Sequence, residues 1–357
     1  MTEDVRQIFG QRLKVLREMK GLSQADLAER MKEMGGTITP QAIYKYEKGK
    51  MSPDSTMLIL LADVLGTDPG ALLRPAGVKV EGLAFRKKST LAAKKQKAIV
   101  TIVTEAVSRY AEIEDVLSLD EKFDKSPFAI PVTTLDDAKA VARQLRMEWN
   151  LGEDGIARVI PLLEEHHVRV VEIESEEKFD GLSGMAGEMP IVVVGKSENT
   201  ERKRFTALHE LGHLILHMPE DMEEKAVEKL CNQFANEVLL PEGIVRKKLG
   251  ESGNKVLSMQ ELIELQKQYG ISIDAMVYKL HEMGVINDNR YSNYFIRKKR
   301  SESYKELVEL SRIEKEYSNR FECLVYKALA MALISISKAA ELLDKPQEEI
   351  IENAICL

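Results

Sequence analysis

The residues in this chain best equipped for chemistry are two histidines four positions apart, with a glutamate after the first: His209-Glu210-Leu211-Gly212-His213. On a helix, positions i and i+4 share a face, so both imidazoles can reach one metal ion. Glu210 is offset to a side where its carboxylate can hold a metal-bound water and take its proton. Zinc suits this set: it lowers the pKa of bound water toward ~7, and a catalytic site keeps a position open beside three protein ligands. Manganese accepts the same histidine and glutamate ligands. The best-placed third ligand is Glu228, in Glu228-Lys229-Leu230-Cys231-Asn232, with Glu224 as the alternative. Asn232 lies one turn beyond Glu228 and is placed to orient a ligand histidine. His217 drifts around the helix and reads as a packing residue, Cys231 as core, and His166-His167 as surface. A bare pattern of this kind also arises on helices that merely carry two surface histidines, so its context matters.

That context is a helix over 201–217, a short turn over 218–221, and a second helix over 222–239, which can fold back to bring Glu228 over the first. Ahead of them, Val168–Ile173 reads as a strand. Leu182–Ala186 and Ile191–Val194, joined at Gly187-Glu188-Met189-Pro190, read as a hairpin. Ile191, Val192, Val193 and Val194 are expected to edge the cleft, where an extended substrate could add as a further strand. The remainder is helical. Gln260–Ile286 and Ser335–Glu349 each read as a helix, a turn and a helix, the first as scaffold and the second as cover for the metal domain.

Residues 202–217 (RKRFTALHELGHLILH) and 228–241 (EKLCNQFANEVLLP) resemble the ImmA/IrrE family of metallopeptidases. Arg204-Phe205 ahead of the histidines, Glu228, Asn232 and Leu239-Leu240-Pro241 fill the family's pattern. The resemblance covers about 130–290. It implies regulated cleavage of a helix-turn-helix repressor or an antitoxin-like partner.

The first 75 residues have a different pattern. Apolar positions recur at helical spacing, and Ser23, Thr39-Pro40 and Ser52-Pro53-Asp54 are helix starts. Residues 5–73 resemble the XRE-type helix-turn-helix domain, carried by Leu22-Ser23-Gln24, Leu27-Ala28, residues 39–49 (TPQAIYKYEKG), Pro53 and Leu58–Leu65. Leu27, Ala28, Ile43 and Tyr46 would face the core. That leaves Thr39, Gln41, Ala42 and Lys45 outward on the third helix, where a recognition helix meets base edges. Gln41 suits adenine and Lys45 guanine, while Gln24 is placed for a phosphate. The connection Met34–Ile38 is longer than the family's tight turn.

The net charge of −7 argues against nucleic-acid coating by the whole molecule. Eleven Lys/Arg against ten Asp/Glu in residues 1–75 predict modest non-specific affinity. A homodimer reading two half-sites of a double-stranded operator is therefore expected. Three scattered cysteines, Cys231, Cys323 and Cys356, fit a reducing compartment. Apolar stretches such as Ile59–Leu61 and Ala328–Ile334 are too short for a bilayer. The chain begins with a charged amphipathic pattern, so a cytoplasmic location with no membrane partner is expected.

The expected fold is α+β and mostly α. Residues 1–75 form a five-helix lambda-repressor-like domain, and 76–130 a basic linker (Arg86, Lys87, Lys88, Lys94, Lys95, Lys97) with a connecting helix. Residues 131–290 form a zincin-like domain with a small sheet, and 291–357 a C-terminal helical region. The expected function is a DNA-binding regulator whose zinc endopeptidase cuts a repressor or antitoxin-like protein. Two other readings stay open: a non-catalytic, antitoxin-like autorepressor that uses the peptidase fold for protein binding, and a switch that cuts itself near Arg86–Lys97.

Overall fold

The computed structural model describes residues 3–67, 69–73, 84–85, 93–120, 122–174, 179, 181–196, 199–250 and 257–354. Arg86, Lys87, Lys88 and Cys356 lie outside the described residues, as do the side chains of Lys94 and Lys95. The chain divides into two compact units: residues 1–83, 87–120 and 319–357 in one, and 84–86 with 121–318 in the other.

The first unit opens with α1 (Glu3–Met19), α2 (Gln24–Glu33), α3 (Pro40–Glu47) and α4 (Ser55–Leu65). Their starts follow from local chemistry. Ser23 and Asp26 form a reciprocal capping box on α2, Thr39 caps α3, and Asp54 caps α4, each satisfying a backbone N–H that has no partner within its helix. The fifth element is a 3₁₀ turn, Pro69–Leu73, where a full helix was expected. Phe9, Leu13, Leu27, Met31, Ile43 and Leu61 close the core. Beneath α3, Arg17 donates to Glu47 at 2.5 Å in an almost buried ion pair. Two further elements follow in the chain, strand β1 (Ala84–Phe85) and helix α5 (Ala93–Val116).

The second unit holds α6 (Leu135–Glu148), α7 (Val159–Glu165), β2 (Arg169–Ile173), β3 (Gly181–Ala186), β4 (Met189–Gly195), α8 (Thr200–Ile215) and α9 (Glu224–Leu239). These are followed by α10 (Glu242–Leu249), α11 (Met259–Tyr269), α12 (Ile273–Glu282), α13 (Asp288–Arg300) and α14 (Glu302–Glu309). One core joins α6, α7, the sheet, α8, α9 and α10–α12. The scaffold expected at 260–286 is α11 and α12, whose Leu262, Leu265, Met276 and Leu280 enter this core.

The sheet has four strands in the order β1-β3-β4-β2. β3 and β4 form the expected hairpin around Gly187, at φ 60°. The expected edge position of Ile191–Val194 is corrected here. These residues lie in β4, which pairs antiparallel with β3 and parallel with β2. All four are fully buried, which is what an unbroken aliphatic run signals: a strand covered on both faces. Pro190 is tolerated because pairing with β2 begins only at Ile191.

Residues 291–318 belong to the second unit. The reason is a strap. The Glu316 side chain, 2 % exposed, accepts from the backbone N–H groups of Val159 and Ile160 at 2.9 Å and from Arg204 Nε at 2.6 Å. After the strap come α15 (Arg320–Ala330), α16 (Ile336–Leu343) and α17 (Gln347–Asn353). Leu324, Val325, Ala328 and Ala339 pack against Tyr110 and Ile113 of α5, within the first unit. Residues 335–349 thus belong to the first unit.

Candidate metal centre

The first two turns of α8 are fixed before the chemistry begins. Arg204, besides holding Glu316, donates to the carbonyls of Ile156 and Ala157 at 3.0 and 2.5 Å. Lys203 donates to Glu172 at 2.8 Å, and Glu201 accepts from Gln266 and Ser311 at 2.8 and 2.6 Å. The helix then presents His209, Glu210 and His213, all buried. Gly212 lets α9 approach: a Cβ there would lie 3.1 Å from the Phe234 ring and 3.4 Å from Cys231 Cα.

The structure brings His209, His213 and Glu228 together. The two Nε2 atoms are 3.1 Å apart, and each lies 3.2 Å from a Glu228 carboxylate oxygen. Ligand atoms ~2.0–2.1 Å from a tetrahedral zinc lie roughly 3.3 Å from one another, so this triangle has the size of a ligand face. Among the described residues, these three form the one His/Cys/Asp/Glu group with donor atoms so clustered. Glu224 is exposed, and His217 is exposed beyond the end of α8, where its backbone pairs with Pro131 and Val132. His166 is half-buried and stacks on Trp149 at 4.1 Å, which corrects the surface reading and explains why burial lowers its pKa.

The outer ring nitrogens are held as well. His209 Nδ1 meets Asn232 Oδ1 at 2.9 Å, the contact that an Nδ1–H would make, which would turn the Nε2 lone pair toward a metal. His213 Nδ1 meets Cys231 Sγ at 3.4 Å. Neighbouring residues of one helix thus orient the two imidazoles. Cys231 is a core residue, as the sequence reading had it, but its contact with His213 was missed, although its spacing of three from Glu228 puts it on the same face. A second missed residue is Ser183 on β3, whose hydroxyl donates to Glu210 Oε2 at 2.7 Å. Gly181 leaves room for that carboxylate, since a Cβ would lie 2.9 Å from Glu210 Oε1.

In the first unit, Thr39, Gln41 and Lys45 are exposed on α3, with Tyr44 and Lys48 beside them, and Ala42 is half-buried. Thr39 Oγ1 accepts from Ala42 N at 3.2 Å as the helix cap. Gln24 is half-buried, and its amide nitrogen donates to Glu47 at 2.7 Å, so this donor braces α2 on α3. Residues 34–39 connect α2 to α3, with Gly35 at φ 83°. No helix among the described residues is long and apolar enough to cross a membrane.

Comparison with known proteins finds two regions of similarity. Residues 163–281 match the family described as IrrE N-terminal-like domain, and residues 13–72 match the helix-turn-helix family. The chain is similar to the radiation response metalloprotease IrrE of Deinococcus radiodurans, 28 % identical over 172 residues, which is 44 % of this chain and 51 % of that protein. It is also similar to an SPbeta prophage-derived uncharacterized HTH-type transcriptional regulator of Bacillus subtilis, 43 % identical over 67 residues, 19 % of this chain and 57 % of that protein. The chain thus spans little more than half the length of either relative. Two regions of the chain thus resemble known domains: residues 13–72 a helix-turn-helix domain, and residues 163–281 an IrrE N-terminal-like domain.

Proposed function

We propose that this protein is a DNA-binding transcriptional regulator and a metal-dependent endopeptidase that cuts a repressor or antitoxin-like protein. The observation carrying the peptidase half is the convergence of three lone-pair donors beside a buried carboxylate. His209, His213 and Glu228 would hold zinc, or manganese in its place. Once bound, the metal supplies Lewis acidity for water and for the scissile carbonyl. Glu210 accepts the proton of the attacking water and returns it to the leaving amine. Ser183 fixes the Glu210 carboxylate, while Asn232 and Cys231 keep the imidazole lone pairs turned inward.

Removing one such support is expected to weaken metal binding without abolishing it. Asn232→Ala should lower zinc affinity by about 10–100-fold in a chelator competition. An unchanged affinity would show that the ring needs no anchor.

The DNA half rests on the exposed side of α3. Thr39, Gln41 and Lys45 would face bases, with Ala42 at the rim and Gln24 bracing the helix near the phosphates. Two copies reading two half-sites would offset the near-neutral charge of this region. Lys45→Ala is expected to cost about 1–3 kcal/mol on operator DNA and to relax preference at one position, as followed by fluorescence anisotropy. A uniform loss over all sequences would reassign Lys45 to the backbone.

The whole reading is tested by incubating the full chain, with and without zinc, with the proteins encoded beside it, and recording intact masses. Zinc-dependent fragments support it, whereas bound zinc without any cut rejects the endopeptidase. A gel shift of the full chain on its own upstream DNA tests the regulator half, and the absence of a shift at low salt rejects it.

A further inference from the structure

Only one rim of the sheet lies beside Glu210. Ser183 and Gly181, the residues that touch its carboxylate, belong to β3, while β4 is paired on both sides. The outer edge of β3 is therefore the edge next to the proposed metal site. That edge already carries a strand, β1, which runs antiparallel with Ala84 opposite Met185 and Phe85 opposite Gly184. Phe85 is thus paired one residue away from Ser183. In sequence, β1 lies between the helix-turn-helix residues 13–72 and α5, yet it is counted with the unit that contains α8.

We propose that the outer edge of β3 is a strand-docking surface for extended polypeptide, and that the chain's own Ala84–Phe85 fills it, standing in the place of a substrate. This deepens the peptidase reading of the preceding section and rests on it. A sheet edge offers one row of backbone donors and acceptors, so two strands cannot use it at once. An extended substrate reaching the metal along β3 needs the backbone of Gly184 and Met185, the two residues that β1 holds. Two residues of β1 are described, Ala84 and Phe85, and both pair with β3. β1 belongs to the same chain, so a separate peptide must compete with an intramolecular strand. The site is closed to casual peptides and opens to a partner that binds the edge more tightly, or to an event that draws the segment away.

The test uses the full chain beside a full chain in which residues 82–88 are replaced by a Gly-Ser sequence of equal length. Hydrogen exchange across 181–185 is expected to be at least about tenfold faster in the replaced chain, with 192–194 unchanged. A fluorescein-labelled peptide of residues 80–91 is expected to bind the replaced chain and not the wild type. Equal exchange in both chains, or equal binding of the peptide, overturns the proposal. If the replacement disturbs 192–194, Phe85→Pro serves instead, because it removes one backbone donor and leaves the rest of the segment in place. Neither readout needs metal or turnover. A chain that never cuts anything can still pass this test, and a chain that cuts can fail it.

Discussion

Glu210→Gln is expected to lower the rate of metal-dependent peptide cleavage by about 10²–10⁴-fold while leaving zinc stoichiometry and DNA binding unchanged. Glutamine keeps the shape of the side chain and an oxygen that can accept from the Ser183 hydroxyl, 2.7 Å away in the native protein. What it loses is the ability to take a proton. Glu210 is not among the clustered donors, which are His209, His213 and Glu228, so the metal site should persist. The measurement is single-turnover cleavage of whichever neighbouring protein the intact-mass experiment identifies, with zinc counted by elemental analysis. Cleavage at the wild-type rate would remove Glu210 from the chemistry. Loss of zinc together with activity would recast it as part of the ligand cage.

Glu316→Ala is expected to destabilise the second unit by about 3–5 kcal/mol, because it leaves a buried guanidinium without its counter-charge. The side chains of Arg204 and Glu316 are 5 % and 2 % exposed. The same carboxylate also satisfies two N–H groups at the start of α7. At about 2–4 °C per kcal/mol for a unit of this size, the Tm should fall by roughly 6–20 °C. Calorimetry of the full chain measures it, with Arg204→Met/Glu316→Met as the control. Replacing both partners by apolar groups should recover much of the loss, since it removes the charge along with its partner. A single variant with a Tm within about 2 °C of wild type would mean that water reaches the guanidinium.

Much of the site could be read in the sequence because it is written in local spacing. His209 and His213 are four apart on one helix, and Glu228 and Asn232 four apart on the next, so periodicity alone puts each pair on one face. The helix starts at Ser23 and Thr39 were equally local, each a cap followed by a matching first turn. What escaped depends on residues distant in sequence. Glu316 lies 112 residues from Arg204, and no pattern near either announces the other. Ser183 reaches Glu210 across 27 residues, through a sheet register that composition does not specify. The central position of Ile191–Val194 was hinted at by four consecutive aliphatics, but a fully buried strand and an edge strand differ in their neighbours, not their residues. β1 fell in a stretch read as linker because two residues are too few to show any period.

The ring anchors have one more consequence. His209, His213, Glu228, Cys231 and Asn232 all come from two helices joined by residues 216–223, so the whole ion-holding half of the centre closes over a short loop. Short-range contacts form early in folding, because little chain entropy is lost in closing them. Ser183 and the Glu316 strap must wait for long-range closure. A nascent helical hairpin could therefore capture its ion before the sheet is assembled, and refolding in zinc should accelerate the earliest phase and leave the late, strap-closing phase unchanged.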